Sequence, residues 1–250
     1  MPWFPDSYAK IGEVWFSARE HIPLLFKFIF TTERLSVQVH PGDDYAARHE
    51  NSAGKTEMWH ILHAEPGATI ALGFKQPIDR ERLREASLSG EIEQLLQWMP
   101  VRAGQTFFTP AGTVHAIGAG IVLCEIQQHS DITYRLYDYG RPRKLHIERG
   151  VEVAQLVPHP GVSVPTPLPD GAERLVTCRY FHTDRLVFDR DCTYQPARAE
   201  VLIVLGGCGR IAGQPFAPGQ AWLLPAGCPA FTLCPESQAE FIRTCAPPQD

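Results

Sequence analysis

Short segments that alternate apolar and polar residues follow one another along most of the chain, separated by glycine or proline. Examples are LSVQVHP at 35–41, QTFFTPAG at 105–112 and VLIVLGG at 201–207. Alternation with a period of two is typical of strands that bury one face. Many short strands between turn residues indicate a barrel or a sandwich. The pattern therefore predicts an all-β fold.

One segment departs from this pattern. Residues 79–99, DRERLREASLSGEIEQLLQWM, carry apolar residues at three- and four-residue spacing, which predicts a small helical insertion. Asp79 is the expected N-cap, and Ser89-Gly90 is the expected break between two helical pieces. An apolar stripe is expected to pack on one face of the barrel. This stripe comprises Leu88, Ile92, Leu95 and Met99.

A proline-rich, weakly charged segment divides the chain. Residues 157–171, VPHPGVSVPTPLPDG, have the composition of a linker. We therefore predict a first domain at 1–156, which contains the helical insertion, and a smaller second domain at 172–250.

An internal sequence repeat, hereafter the internal echo, indicates that the two domains are related barrels. AGQTFFTPAGTVHA at 103–116 matches PGQAWLLPAGCPAF at 218–231 without a gap. The same turn–strand–turn unit is therefore expected twice. The second copy keeps the glycines and the proline of the turn, but Ala230 stands where the first copy has His115. Only the first barrel is expected to carry a site.

Composition and charge narrow the classes of function. The 250 residues carry a net charge of −5 and an isoelectric point near 6.1, which argues against nucleic acid and membrane partners. The longest apolar run falls far short of the roughly 20 residues of a membrane span, and the N-terminus lacks the pattern of a secretory signal. The seven cysteines are odd in number and form no CxxC pair. We therefore expect a cytoplasmic protein.

Polar residues occupy inward positions of the predicted strands. Gln38 and His40 are two residues apart and share one face of a strand, and Glu57 lies on the inward face of another. Burying such groups without partners costs roughly 2–7 kcal/mol for each neutral group. The tight turn PAGTVHAIG delivers His115 as a fourth donor. Two imidazoles and a carboxylate suit zinc or a neighbouring divalent ion.

Three motifs in a fixed order resemble a known family. QVHP at 38–41, GKTEMWHI at 54–61 and PAGTVHAIGAGIVLCEIQQHSDITYRLYDYGR at 110–141 are similar to motifs of the type I mannose-6-phosphate isomerases, above all of their short bacterial branch. The similarity covers roughly residues 11–150. It implies two tandem cupin (jelly-roll) barrels, a bound zinc ion, and interconversion of mannose 6-phosphate and fructose 6-phosphate.

The resemblance also implies roles for individual residues. The implied ligands of one zinc, or of another first-row divalent ion, are Gln38, His40, Glu57 and His115. The implied catalytic residues are Arg135, Lys55 and Glu125. The implied contacts to a phosphorylated hexose come from Lys27, Ser36 and Arg141.

Elementary chemistry agrees with these roles. An aldose–ketose isomerisation passes through an enediolate, so negative charge develops on two adjacent oxygens. A metal polarises such oxygens, and the permanently charged Arg135 stabilises the same charge. The base must be a titratable group beside the metal, and the residues leave Lys55 and Glu125 as alternatives.

Two other functions use the same residues. His40, Glu57 and His115 also form a two-histidine, one-carboxylate set, which holds Fe(II) in cupin oxygenases. A non-catalytic sugar-binding cupin is the other alternative. Gln38, Lys55 and Arg135 argue against an oxygenase, whose chemistry does not need basic residues lining the site. The sequence leaves the oligomeric state open between monomer and homodimer.

Overall fold

The computed structural model describes residues 11–17 and 22–247. The strands that precede residue 138 are β1 Glu13–Ser17, β2 Leu24–Thr31, β3 Val37–Val39, β4 Glu57–Ala64, β5 Thr69–Phe74, β6 Leu96–Pro100, β7 Thr106–Thr109, β8 His115–Ile117, β9 Ile121–Gln128 and β10 Tyr134–Tyr137. The helices are α1 Asp43–Glu50, α2 Arg80–Ser89, α3 Ile92–Leu95 and α4 Ile147–Val153. The later strands are β11 Thr166–Pro167, β12 Glu173–Thr177, β13 His182–Phe188, β14 Cys192–Tyr194, β15 Glu200–Gly206, β16 Gly209–Ile211, β17 Gln214–Phe216, β18 Ala221–Leu224, β19 Phe231–Pro235 and β20 Ala239–Cys245.

Strands dominate this element order, and the helices are few and short, so the predicted all-β class with a small helical insertion is confirmed. The described residues divide into two compact units. The first comprises Gly12–Trp15 and Leu25–Val162. The second comprises residues 163–247, together with 11, 16–17 and 22–24. No helix in these described ranges combines the length and apolar character needed to cross a membrane.

The predicted linker at 157–171 takes part in both units. Pro158 pairs with Gly73 of the first unit, whereas Thr166 pairs with Arg174 of the second. The proposed domains 1–156 and 172–250 begin or end in residues 1–10 and 248–250, which lie outside the described residues. The two-domain division at these boundaries stays a prediction.

Two five-stranded sheets form the first unit, with strand orders β1-β2-β9-β4-β7 and β10-β3-β8-β5-β6. One buried apolar cluster draws on both sheets, with Trp59 and Phe107 from the first and Ile70 and Ile117 from the second. The two sheets therefore pack face to face around a shared interior, as in a cupin barrel.

The outer face of the second sheet is also buried. Val37 and Val39 of β3 pack in a cluster with Leu83 of α2 and Val151 of α4. Successive side chains of a strand point to opposite faces, so Gln38, between the two valines, points to the barrel interior. The helices thus cover one face of the sheet while its other face lines the site.

The helical insertion is shorter than predicted. Asp79 caps α2, because its Oδ1 accepts a hydrogen bond from the Arg82 N–H at 2.7 Å. Gly90 follows in the left-handed region with φ 82°, as the predicted break requires. However, α3 ends at Leu95, and the predicted helix is wrong over residues 96–99.

Those residues belong to β6, which pairs with β5 in the register Met99 to Ile70 and Trp98 to Ala71. The sheet edge satisfies their backbone groups, and this tertiary pairing overrides the helical spacing. The predicted apolar stripe is therefore also wrong as a single face. Ile92 is fully buried, whereas Leu88 is 68% exposed and Met99 lies on a strand.

The two copies of the internal echo adopt the same backbone. The flanking glycines all have positive φ: Gly104 86°, Gly112 90°, Gly219 87° and Gly227 76°. The amide side chain after the first glycine closes the preceding turn in each copy. Gln105 Oε1 accepts from the Arg102 N–H at 2.8 Å, and Gln220 Oε1 accepts from the Ala217 N–H at 3.1 Å. The intervening strand is β7 in the first copy and β18 in the second.

The second unit is also built from two antiparallel sheets. A six-stranded sheet has the order β11-β12-β13-β20-β15-β18, and a four-stranded sheet has the order β14-β19-β16-β17. Its buried cluster includes Leu202 and Phe241 from the first of these sheets and Ile211 and Leu233 from the second.

Candidate metal centre

Three predicted ligands meet in the interior of the first unit. His40 follows β3, Glu57 begins β4 and His115 begins β8, so the donors come from both sheets. Their ligating atoms all lie within 4.8 Å of one another, and all three side chains are buried. His40 Nε2 is 3.5 Å from Glu57 Oε2, and His115 Nε2 is 3.6 Å from Glu57 Oε1.

Backbone carbonyls fix the protonation of both histidines. His40 Nδ1 lies 2.7 Å from the Ile132 carbonyl oxygen, and His115 Nδ1 lies 2.9 Å from the Thr113 carbonyl oxygen. A carbonyl only accepts, so each Nδ1 carries the hydrogen and each Nε2 keeps a lone pair. Burial lowers the pKa of His40 well below its usual value and lowers that of His115 to about 4. Both rings are therefore neutral at pH 7, as metal ligation requires.

Gln38 lies beside the cluster with its amide nitrogen inward. It is directly opposite His115 in the register of β3 and β8, and its Nε2 is 3.2 Å from His115 Nε2. Ser36 Oγ donates to Gln38 Oε1 at 3.1 Å. Ligation through Oε1 would require a half-turn of this amide, after which Ser36 could accept from its nitrogen.

The donor set fits a divalent metal. His40 Nε2 and both carboxylate oxygens of Glu57 are buried without a hydrogen-bond partner among the described residues. A buried carboxylate is costly, and burial raises the pKa of Glu57 to about 7 even though the charge of Lys55 opposes the shift. A cation would satisfy these atoms together, and two imidazoles with a carboxylate suit zinc or a neighbouring divalent ion.

A chain of buried ion pairs extends from the ligands. Lys55 Nζ lies 3.1 Å from Glu57 Oε2 and 3.9 Å from Glu125 Oε1. Lys27 Nζ, which interrupts the apolar strand β2, lies 3.6 Å from Glu125 Oε1. These four residues thus form one alternating row of cations and carboxylates along the barrel interior.

Neighbouring charges in this row determine the protonation states of Glu125 and Lys55. Burial by itself would raise the pKa of Glu125, but the charges of Lys55 and Lys27 and a hydrogen bond from Trp59 outweigh it and lower that pKa. Burial by itself would lower the pKa of Lys55, but Glu57 and Glu125 outweigh it and raise that pKa. At neutral pH Glu125 is therefore a carboxylate and Lys55 an ammonium.

Two further contacts involve residues that the motifs did not single out. The Trp59 indole N–H donates to Glu125 Oε2 at 3.0 Å, and Asp131 Oδ1 lies 3.6 Å from Lys27 Nζ. The strand parity that Trp59 shares with Glu57 signals an inward side chain, although it does not identify the partner. Asp131 lies in the segment between β9 and β10, where no sequence signal pointed to Lys27.

Arg135 and Arg141 lie on and after β10. Arg135 is directly opposite Gln38 in the register of β10 and β3, which puts the two side chains on the same face. Its Nη1 donates to the Lys144 carbonyl at 2.9 Å. Arg141 binds the buried Asp138, with Nη2 to Oδ1 at 2.6 Å. The pairing of β10 with β3 therefore places Arg135 beside the predicted ligand Gln38. The described contacts of Arg141 are instead with residues of its own turn.

Comparison with known proteins adds a finding independent of this geometry. No model of a known protein family matches the chain. The chain is 38% identical over 217 residues to a mannose-6-phosphate isomerase of Streptococcus mutans serotype c, covering 82% of this chain and 68% of that protein. It is 38% identical over 238 residues to the mannose-6-phosphate isomerase ManA of Bacillus subtilis, covering 89% of this chain and 75% of that protein. The crystal structure of mannose 6-phosphate isomerase from Bacillus subtilis is similar with a TM-score of 0.82 and 29% identity, over 89% of this chain and 75% of that one.

Proposed function

The chain belongs to the mannose-6-phosphate isomerase family, and from this membership we propose that it interconverts mannose 6-phosphate and fructose 6-phosphate. The observation that carries the proposal is the buried set of His40, Glu57 and His115 beside the Lys55–Glu125 ion pair. A metal site with an adjacent acid–base pair is what an enediolate reaction needs.

The metal is zinc, one ion per chain, held by Gln38, His40, Glu57 and His115. Bound there, it would act as a Lewis acid and stabilise the negative charge that develops on the substrate oxygens while the hydrogen moves between the two adjacent carbons. The ligand atoms that lack hydrogen-bond partners among the described residues support this assignment. The Ile132 and Thr113 carbonyls orient the two imidazoles for it.

Glu125 acts as the base in this proposal. Its Oε1 is buried and accepts no hydrogen bond from the described residues, although Lys27 and Lys55 lie 3.6 and 3.9 Å away. In this role Oε1 takes the proton from the carbon next to the carbonyl and returns it to the former carbonyl carbon. Trp59 holds the other oxygen at 3.0 Å and thereby fixes the carboxylate. Lys55, as an ammonium, contacts the substrate oxygen on which charge develops, gives it a proton and recovers one from the neighbouring hydroxyl as that oxygen becomes the new carbonyl.

Basic residues bind the negative charge of the enediolate and of the substrate's phosphate. Arg135 stabilises the enediolate, and a guanidinium keeps its charge in doing so. Lys27, Ser36 and Arg141 contact the phosphorylated hexose. Burial and, after it, the charges of Arg143 and Arg141 lower the pKa of Arg135, while Asp138 opposes the shift.

The composition of the chain bears on its binding partners and its cellular compartment. With a net charge of −5, the chain has no general attraction for nucleic acid or for anionic membranes, and its phosphorylated substrate is a small metabolite. We assign it to the cytoplasm. The seven cysteines without a CxxC pair are consistent with a reducing compartment.

The test is a coupled assay that follows fructose 6-phosphate formed from mannose 6-phosphate, before and after chelation. We expect turnover that chelation abolishes and zinc restores, at the same rate with and without oxygen. Unphosphorylated mannose, as the control substrate, should react far more slowly. Turnover that ignores chelation would refute the metal role, and oxygen-dependent product would favour the Fe(II) oxygenase.

A further inference from the structure

Lys55 lies in a short segment whose backbone is held by other parts of the unit. The three residues before the ligand Glu57 all donate their N–H groups to fixed acceptors. Gly54 donates to Asp43 Oδ1 at 2.9 Å, Lys55 to the Pro41 carbonyl at 3.0 Å, and Thr56 to Gln128 Oε1 at 2.9 Å. Strand β4 begins only at Glu57, so side chains provide the outer two acceptors where a paired strand does not.

Asp43 and Gln128 are joined to each other. Gln128 Nε2 donates to Asp43 Oδ1 at 2.9 Å, so one carboxylate oxygen accepts from both the glutamine and Gly54. The Gln128 N–H also donates to the Thr56 carbonyl at 3.1 Å. The end of β9, the first turn of α1 and the segment at 54–56 therefore form one closed hydrogen-bonded unit.

The packing leaves this unit little freedom. A Cβ placed on Gly54 would lie 2.6 Å from the Asp43 nitrogen, closer than such atoms come. Gly54 is therefore required for the close approach of the segment to residue 43. Thr56 Oγ1 also accepts from the Ala111 N–H at 3.2 Å, which ties the same segment to the turn that precedes His115.

We propose that Asp43 and Gln128 are positioning residues for Lys55. They fix the backbone on both sides of the lysine, and so hold Nζ at 3.1 Å from Glu57 Oε2 and within 3.9 Å of Glu125 Oε1. The inference rests on the proposed function, in which Lys55 meets the substrate. A displacement of about 1 Å at a reacting group reduces turnover by about 10²-fold, so a fixed backbone matters at this point more than elsewhere.

The test measures kcat and KM for Asp43→Ala and Gln128→Leu on the zinc-loaded enzyme. We expect kcat to fall by about 10- to 100-fold in each, with KM within about threefold of wild type. The double variant should be about as slow as either single variant, because both break the same link. Zinc content should stay near wild type. The lost hydrogen bonds should lower the melting temperature by a few degrees, so kcat is expressed per folded molecule.

Two matched variants separate positioning from structure. Asp43→Asn keeps the accepting Oδ1 and should recover most of kcat. Asp44→Ala removes the neighbouring carboxylate from the same first turn of α1, and this exposed residue accepts no hydrogen bond from the segment at 54–56 among the described residues. It should therefore behave as wild type.

Amide hydrogen exchange gives a readout that does not depend on activity. The N–H groups of Gly54 and Thr56 should exchange faster in Asp43→Ala and Gln128→Leu, and at the wild-type rate in Asp43→Asn. Unchanged exchange and unchanged kcat in the first two variants would overturn the positioning role. A kcat loss that only follows the folded fraction would overturn it as well. A wild-type enzyme without turnover would instead refute the proposed function, whatever the exchange rates.

Discussion

Both units bury charged side chains, but they treat them differently. In the first unit, His40 Nε2, both oxygens of Glu57 and Glu125 Oε1 are buried without a hydrogen-bond partner among the described residues. The two carboxylates are opposed there by Lys55 and Lys27 as ion pairs at 3.1–3.9 Å. In the second, the buried Asp184 accepts from Arg174 and Arg243, and the buried Glu200 accepts from the Tyr194 hydroxyl at 2.5 Å. Residues 163–247 contribute no atom to the set of buried polar atoms without partners.

This difference separates a site from a structural network. A buried polar atom whose hydrogen bonding is incomplete is costly, and for Glu57 the charge of Lys55 offsets that cost only in part, since burial still raises the pKa of Glu57 to about 7. A buried charge with complete hydrogen bonding holds sheet strands together without needing a ligand. By this criterion the interior of the first unit is built to receive a metal and a substrate, whereas that of the second unit is complete.

The repeated turn shows the same contrast on a smaller scale. Both copies keep the positive-φ glycines and the glutamine that closes the turn, as the φ values of Gly112 and Gly227 illustrate. His115 begins β8 after the first copy, and Ala230 occupies the matching position in the second. The scaffold therefore does not require the imidazole, which supports a role for His115 in binding.

The largest expected effect is that of Arg135→Ala. Turnover of mannose 6-phosphate should fall by about 10³-fold, because the developing enediolate loses its fixed cation. Bound zinc should stay near one ion per chain, measured by elemental analysis, because Arg135 is not a ligand. The exposed Arg102→Ala serves as the control and should behave as wild type. Loss of zinc together with turnover in Arg135→Ala would contradict the assigned role.

A substitution in the second unit should give the opposite result. Asp184→Ala leaves Arg174 and Arg243 without their buried partner and should lower the free energy of unfolding by about 3–5 kcal/mol in urea denaturation. The kcat per folded molecule should not change. Asp189→Ala, at an exposed position, should change neither quantity. A selective loss of kcat in Asp184→Ala would mean that the second unit is not merely structural.

A smaller effect concerns the stability of the metal-free protein. Burial holds the pKa of His115 at about 4 and that of His40 well below its usual value, whereas the unfolded chain takes up these protons near pH 6.5. The stability these groups contribute is thus present above pH 6.5 and lost as the pH falls. Below pH 6.5 the loss from His115 alone approaches about 1.4 kcal/mol per pH unit, and His40 acts in the same direction. Glu57, whose pKa is raised to about 7, holds its proton in the folded state over this range and offsets part of the loss, so the contribution of His115 is read from the difference between wild type and His115→Gln.

Urea denaturation of the metal-free protein at about pH 6.5 and about pH 5 measures this loss. His115→Gln, which has no proton to take up, should show a shallower dependence than wild type. An equal dependence in both proteins would show that His115 is not buried in its neutral form.

Much of the fold is predictable because its signals are local. Alternation and turn glycines mark β7 and β18, and the cap and break of α2 are encoded at Asp79 and Gly90. Residues 96–99 were assigned to a helix because their spacing continues that of α3. Their pairing with β5, more than twenty positions away in sequence, decides the outcome and is not visible in the segment itself.

The site likewise has features that the sequence predicts and features that it does not. The ligand types and the inward parity of Gln38 and Glu57 can be found from strand alternation. The contact of Trp59 with Glu125 joins residues 66 positions apart, and it depends on the register of β4 against β9. The same applies to Gln128, whose link to Asp43 spans 85 positions. Such contacts follow from how strands align, which a single sequence does not specify.

A zinc titration of the metal-free protein tests whether the first unit holds a catalytic metal. Turnover of mannose 6-phosphate is measured after each addition of zinc. We predict no turnover at the start, a linear rise to one zinc per chain and a plateau beyond it, with His115→Ala requiring about 100-fold more zinc. Full turnover before any zinc is added would rule out a catalytic metal, and a His115→Ala curve identical to that of wild type would exclude His115 as a ligand.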